Sequence, residues 1–356
     1  MNRILMAAVA SFTILALASC SDNAEQSPSP RHEKKKKKED LSKILTRVEK
    51  VSVADAVAKY IPGPGRRGNS PTASEYIEGA HLAFDNDDHE AALVLADRAV
   101  QISPGNGAAY YQRGKARFNT MEGDEDRALE DLEKSCRLSP GEDTAYIYIA
   151  RIYDGRNQKK KALAALSEGI RVCPRKRDLY KYRAALYNED GRIDLAEKDY
   201  NDYVATGGTS ECFFLRGKFY EKCGRLENAL RDYTTVIKRQ NRRNQVDKLV
   251  LGYKYRAGVL RRLGRHREAI ADLSEAFKGD PRDDEAIRLR GFEYIAVQDY
   301  KHALADFDKA IELAPRGRQG YEGRAAVYEK LGEQDLADRD RKEAEKLDAA
   351  PAELPI

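Results

Sequence analysis

Five histidines lie scattered through the 356 residues, and none belongs to a His-Glu-x-x-His, Gly-x-Ser-x-Gly, P-loop or paired-cysteine pattern. Catalysis and metal binding both need several such side chains converging on one point, so neither enzymatic activity nor a metal or cofactor is expected. The stretch Gly63-Pro64-Gly65-Arg66-Arg67-Gly68 formally fits G-x-G-x-x-G. A dinucleotide loop must leave a strand and open a helix, however, and this one lies between Pro62 and Pro71 in a chain of helical character. Thiol chemistry is restricted as well. Cys212 and Cys223, eleven residues apart on one helix, would stand about 16 Å from each other, beyond disulfide reach. Cys136 and Cys173 are the one pair whose placement admits a bridge, with buried free thiols as the alternative.

Binding chemistry is better represented, in aromatic and basic side chains that return at regular spacing. They are Tyr111, Lys115 and Phe118, then Arg151, Lys181, Phe214 and Lys218, and finally Lys254, Arg261, Arg288 and Phe292. Aromatics supply contact area and basic groups orient a carboxylate, so the set suits an extended acidic peptide or a peptide C-terminus. Between Lys238 and Arg267, eleven Lys or Arg stand against one acid, Asp247. That basic segment carries a second reading, a polyanion or peptidoglycan site, and the bland one is a solvated face on which long basic side chains cover apolar surface. The net charge is only +4 although 34% of residues are charged, so no global field points to nucleic acid and recognition must be local.

The elements that would position these residues are repeated. Asp284 to Gly317 reads as two amphipathic helical segments, a tight turn and a closing Ala314-Pro315. Gly291, Ala303 and Ala310 are small where two antiparallel helices must cross closely, and proline stops the second helix. The same marks recur over 73–106, 107–142, 143–176, 177–209, 210–243, 250–283, 284–317 and 318–351. Gly191, Gly224, Gly264 and Gly332 share the fifteenth position, where the first helix should end on a left-handed residue. Units four and five depart: Tyr203 and Val236 replace the small residue of the second helix, Gly208 and Asn241 replace the proline, and Asn244 to Leu249 are extra. Looser packing is expected there.

This spacing resembles the 34-residue tetratricopeptide repeat. The resemblance implies an all-α fold, an α-solenoid of about eight helix-turn-helix units winding as a right-handed superhelix, with peptides bound in a concave groove lined by first helices. First-helix positions 2, 5, 9 and 12 should face that groove, opposite packed positions 4, 8 and 11. They contain every aromatic and basic residue named above, and also His81. The chaperone-binding members of the family pair Lys and Asn at positions 5 and 9, whereas here Lys181 is followed by Ala185. A homo-oligomer stays open.

Residues before the array read differently. Arg3 precedes an apolar run from Ile4 to Ala18, too short for a span of about 20 residues and suited to a secretory signal peptide over 1–19. Leu17-Ala18-Ser19-Cys20 is similar to the lipobox of bacterial lipoproteins, which implies cleavage before Cys20 and lipidation of its thiol. Ala16-Leu17-Ala18 also fits ordinary cleavage, and an uncleaved anchor is the third outcome. Residues 20–40 include Lys34 to Lys38 and almost nothing apolar, hence a tether whose lysines could rest on anionic lipid. Residues 41–71 hold helical spacing from Leu41 to about Lys50, a Ser52-x-x-Asp55 cap and a Pro/Gly linker. The resulting expectation is a protein-binding adaptor tethered to a bacterial membrane, the outer one facing the periplasm in a cell with two.

Overall fold

The computed structural model describes residues 52–61, 70–120, 124–241 and 246–349. Cys20, the signal peptide, the lysine-rich segment, the helix expected near 41–50 and the linker over 62–69 lie outside the described residues.

Helix α1 (Val53–Tyr60) precedes eight antiparallel pairs. These are α2 (Ala73–Asp85) with α3 (His89–Ile102), α4 (Gly107–Thr120) with α5 (Glu125–Leu138), α6 (Asp143–Gly155) with α7 (Lys159–Val172), and α8 (Arg177–Glu189) with α9 (Ile193–Gly207). Then follow α10 (Ser210–Lys222) with α11 (Leu226–Asn241), α12 (Val246–Arg262) with α13 (His266–Gly279), α14 (Asp284–Ala296) with α15 (Tyr300–Leu313), and α16 (Arg318–Leu331) with α17 (Gln334–Ala349). Each helix packs on its partner and on the next unit, so the chain is an all-α solenoid whose core runs along the stack. Among the described residues no helix is long and apolar enough to cross a membrane.

Local chemistry sets the ends of these helices. Thr72 and Glu75 form a reciprocal capping box on α2, and the side chains of Asp88, Asp283 and Asp299 each accept a hydrogen bond from a backbone N–H in the first turn of their helix. The fifteenth residue is left-handed in seven units. Gly191, Gly224, Gly264 and Gly332 adopt that conformation freely, but Asp87, Asn157 and Gln298 hold it too, with φ of 59°, 58° and 62°. The turn geometry is thus imposed by the helix pair, and glycine only eases it.

Small residues lie where the helices cross. Ala80, Ala92 and Ala99, and likewise Ala303 and Ala310, are at most 1% exposed. In unit seven Phe307 fills the space over two glycines: a Cβ on Gly291 would lie 2.9 Å from its Cζ, and one on Gly323 would lie 2.1 Å from its Cε1. At the N-terminal end Ala56, Tyr60 and Ile61 of the α1 segment join the core of unit one, and Lys59 and Tyr60 both donate to Asp88, at 2.7 and 2.9 Å. At the other end α17 buries Ala337, Asp340 and Ala344 and turns Arg339, Lys342 and Lys346 to solvent.

The loosening expected in units four and five is corrected by burial. Tyr203 is 0% and Val236 3% exposed, and Tyr203 packs in one cluster with Cys212 and Tyr200. Gly208, at φ 55°, ends α9 in the absence of proline. The start expected for unit six at Val250 also moves, because α12 begins at Val246 and the inserted residues lengthen the helix.

A periodic device absent from the sequence reading ties units together. In six units an arginine at the seventh position clamps a buried aspartate of its own second helix: Arg113 with Asp131, Arg183 with Asp199, Arg216 with Asp232, Arg256 with Asp272, Arg290 with Asp306 and Arg324 with Asp340. Each pair makes two parallel N–H···O bonds, and the remaining Nη1 reaches back to the preceding unit, to Asp97, Ser167, Asn201, Thr234, Ser274 and Asp308 respectively. The guanidinium of Arg290 is raised above its ordinary value by the hydrogen bonds it donates to Asp306. It also lies over the rings of Phe277 and Tyr294, at 5.2 and 6.0 Å.

Candidate protein-binding groove

First helices bury position 8 in every unit and positions 4 and 11 wholly or in part, which leaves positions 5, 9 and 12 on the opposite side. In α4 these are Tyr111, Lys115 and Phe118, beside the buried Tyr110 and Gly114. Lys115 is itself only 8% exposed, its Nζ 3.6 Å from the centre of the Phe84 ring, and burial pulls its ammonium below the ordinary lysine value.

Arg151 of α6 is the most open groove cation of this region. Its guanidinium lies over Phe118 at 4.9 Å and over Tyr148 at 5.3 Å, and no carboxylate among the described residues pairs with it. Tyr148 in turn meets Phe118 and Tyr111 edge to face, at 5.6 and 6.2 Å. Burial raises Tyr111 well above the ordinary phenol value, so it stays neutral and serves as contact surface and donor. Farther along, Lys218 is exposed and stands over Phe214 and Tyr255 at 5.8 and 5.6 Å, with those two rings 4.8 Å apart edge to face. Two cation–aromatic clusters therefore line the first-helix side, one in units two and three and one at units five and six.

The other predicted members do not converge as open charges. Lys254 donates to Asp283 at 2.7 Å and also to Glu285; burial pulls its ammonium down, but these two acids carry it above the ordinary value. Arg288 donates to Asp284 at 3.2 Å, Lys181 lies 3.2 Å from Asp178 and 3.7 Å from Glu211, and Arg261 lies 3.8 Å from Glu293. Phe292 packs at 5.1 Å on the core ring of Phe307. Glu211 and Glu285, at position 2 of one first helix, stand beside Lys181 and Lys254 at position 5 of the preceding one, whereas Asp178 and Asp284 pair with a base on their own helix. In the basic segment Arg256, Arg262 and Arg265 are likewise matched by Asp272, Glu221 and Glu268 from outside it or at its edge. Arg239 donates to the Gly208 carbonyl and covers the Phe213 ring at 4.9 Å.

Tyr148, Tyr182 and Tyr255 were missed by the sequence reading. They occupy position 6, one residue beyond the expected stripe, and Tyr148 and Tyr255 lie against the position 5 rings of the preceding unit, Tyr111 and Phe214. Their signal was present as a tyrosine recurring at that position in units three, four and six. The four cysteines among the described residues are free thiols.

The fold is that of an all-α repeat solenoid and is similar to tetratricopeptide-repeat proteins. The family model "Tetratricopeptide repeat" matches residues 210–242 and 289–316, in units five and seven. Among curated relatives, heat shock protein STI1 of Saccharomyces cerevisiae is 35% identical over 157 residues, 42% of this chain and 24% of its own. A DnaJ homolog subfamily C member 7 homolog of Schizosaccharomyces pombe is 24% identical over 291 residues, 74% of this chain and 61% of its own. DnaJ homolog subfamily C member 3 of Gallus gallus is 21% identical over 244 residues, 68% of this chain and 43% of its own. The chain thus spans less than two thirds of the length of these relatives. The crystal structure of the C-terminal part of a TPR repeat-containing protein from Cytophaga hutchinsonii covers 69% of this chain and 98% of its own, with a TM-score of 0.57 at 15% identity, which shows the shared fold.

Proposed function

We propose that this protein is a scaffold of the bacterial cell envelope, tethered through a lipid on Cys20, that captures partner proteins by an acidic segment laid along its first-helix groove. The observation that carries the groove reading is Arg151: exposed, stacked on Phe118 and Tyr148, and without a carboxylate partner among the described residues. Stacking fixes the guanidinium while leaving its N–H donors for a ligand carboxylate. Lys218 repeats the arrangement on Phe214 and Tyr255. The relatives named as Hsp70-Hsp90 organizing proteins support an adaptor role for such repeats. The tether rests on the Leu17-Ala18-Ser19-Cys20 sequence.

The test is affinity capture from detergent-solubilised envelope with wild type, Arg151→Glu/Lys218→Glu and Cys20→Ala. A defined protein set should be lost from the groove variant with helicity unchanged, and Cys20→Ala should leave the membrane fraction. Truncating a groove cation that meets a desolvated carboxylate is expected to cost about 2 to 5 kcal/mol of affinity. Unchanged capture by the groove variant refutes the site, and unchanged membrane association of Cys20→Ala refutes the lipid tether.

A further inference from the structure

Unit three breaks the arginine device on the side of the molecule opposite the groove. Its seventh position is Ile149, where six other units carry arginine, and Ala165 stands where they carry aspartate. The remaining parts of the device are in place. Tyr146 and Tyr153 hold the two ring positions that flank such arginines elsewhere, as Tyr220 and Phe213 flank Arg216 at 5.7 and 5.6 Å. Glu133 of α5 occupies the site that corresponds to Asp97 and Ser274, which accept from Arg113 and Arg290. Among the described residues no cation pairs with Glu133, and the Tyr153 hydroxyl donates to it at 3.4 Å.

An open depression of about 390 Å³ lies between α5 and α7, with Ile149, Ala165 and the two tyrosines below and Glu133 at its edge. The equivalent depression of unit five, about 340 Å³, has the Arg216 and Asp232 pair among its walls instead. Burial pushes the Cys136 thiol in this wall up to about 12, so it is a neutral surface and not a nucleophile. Arg137 and Lys161 also border the pocket, and the Lys161 Nζ stands 5.3 Å from the centre of the Tyr153 ring. Glu168, the second acid of the rim, is already held by Arg171 at 2.6 Å.

We propose that this pocket receives an arginine side chain from a partner protein, with its stem on Ile149 and Ala165, its guanidinium between Tyr146 and Tyr153, and its charge on Glu133. The partner would thus complete from outside the pairing that the chain itself makes in six units. Lys161 is exposed and long, and it must leave the Tyr153 ring for the arginine to enter. This contact is separate from the groove, so one partner could engage both sides of the stack.

The experiment uses fluorescently labelled hexapeptides that differ at one central position, arginine, its uncharged isostere citrulline, leucine or glutamate, titrated by anisotropy. The arginine peptide should bind at least about ten-fold tighter than the others. Glu133→Gln should reduce it to the citrulline level. Ile149→Arg with Ala165→Asp refills the pocket from within, and should abolish arginine-peptide binding while raising the melting temperature. Arg151→Glu, in the groove, should leave it unchanged. Tighter binding of the leucine or glutamate peptide, undiminished binding to the refilled protein, loss of binding in Arg151→Glu, or no binding of any peptide at about millimolar concentration would each overturn the proposal. Glu133→Gln replaces a partly exposed rim group, so its result stands even where the refilled variant folds poorly.

Discussion

Arg290 holds Asp306 by two parallel hydrogen bonds, Nε to Oδ2 at 2.8 Å and Nη2 to Oδ1 at 2.7 Å, while its Nη1 donates to Ser274 of the preceding unit at 3.1 Å. One side chain therefore joins three helices. The arginine side chain is 15% and the aspartate 9% exposed, so the pair is largely out of water and its geometry matters more than its charge. Asp306→Ala is expected to cost about 3 to 5 kcal/mol, because it leaves a shielded guanidinium without its partner. The double change Arg290→Met/Asp306→Leu should recover most of that. Urea unfolding of the three variants checks both statements, and an Asp306→Ala curve that overlays the wild type would remove the device from the stability argument.

Phe307 lies against Gly291 and Gly323 from successive first helices. A methyl group on Gly323 would intrude to 2.1 Å from the ring, so the ring or the helix must move. Gly323→Ala is expected to destabilise the protein by about 1 to 3 kcal/mol despite the better helix propensity of alanine. Thermal melting decides the sign, and a higher melting temperature would mean that propensity wins over packing.

Acid should release α1 from the stack. Burial pushes the Asp88 carboxyl up, but hydrogen bonds from Lys59, Tyr60 and the Ala91 N–H bring it below the ordinary aspartate value of 3.8. A carboxyl with a depressed folded value contributes its stability fully above the unfolded value and loses it as pH falls through the folded one. The contribution of Asp88 is therefore intact at neutral pH and disappears only below about pH 4. Amide exchange over residues 53–60 should accelerate relative to α3 in that window, and Asp88→Asn should show the same loosening at pH 7. Protection that does not differ between Asp88→Asn and wild type at pH 7 would show that Ala56 and Ile61 alone hold the cap.

The fold was legible in the sequence because its determinants are local and repeat. Gly291, Ala303 and Ala310 announce close helix crossings from within one unit, and Ala314-Pro315 announces its end. The errors arose where one feature substituted for another. Tyr203 looked too large for its place, yet it buries its ring beside Cys212, and of the extra residues before Val250 those from Val246 belong to the first helix of unit six. The groove was legible only in outline, since Arg151 and Lys254 occupy comparable places in the pattern and differ in what stands across from them.

The sequence by itself determined the period, the small-residue crossings and the side of each first helix that turns away from the core, because these follow from helix geometry within a single unit. Only the tertiary structure decided which charges remain available. Lys254 is taken by Asp283 and Glu285, about thirty residues away at the N-cap and in the first turn of the next first helix, whereas Arg151 meets two rings and, among the described residues, no acid. The same holds on the opposite side, where Ile149 is an ordinary apolar residue until the arrangement of Glu133, Tyr146 and Tyr153 around it reveals the missing guanidinium. Pairings of this kind depend on the rotation between successive units and on the reach of long side chains, and a one-dimensional pattern specifies neither.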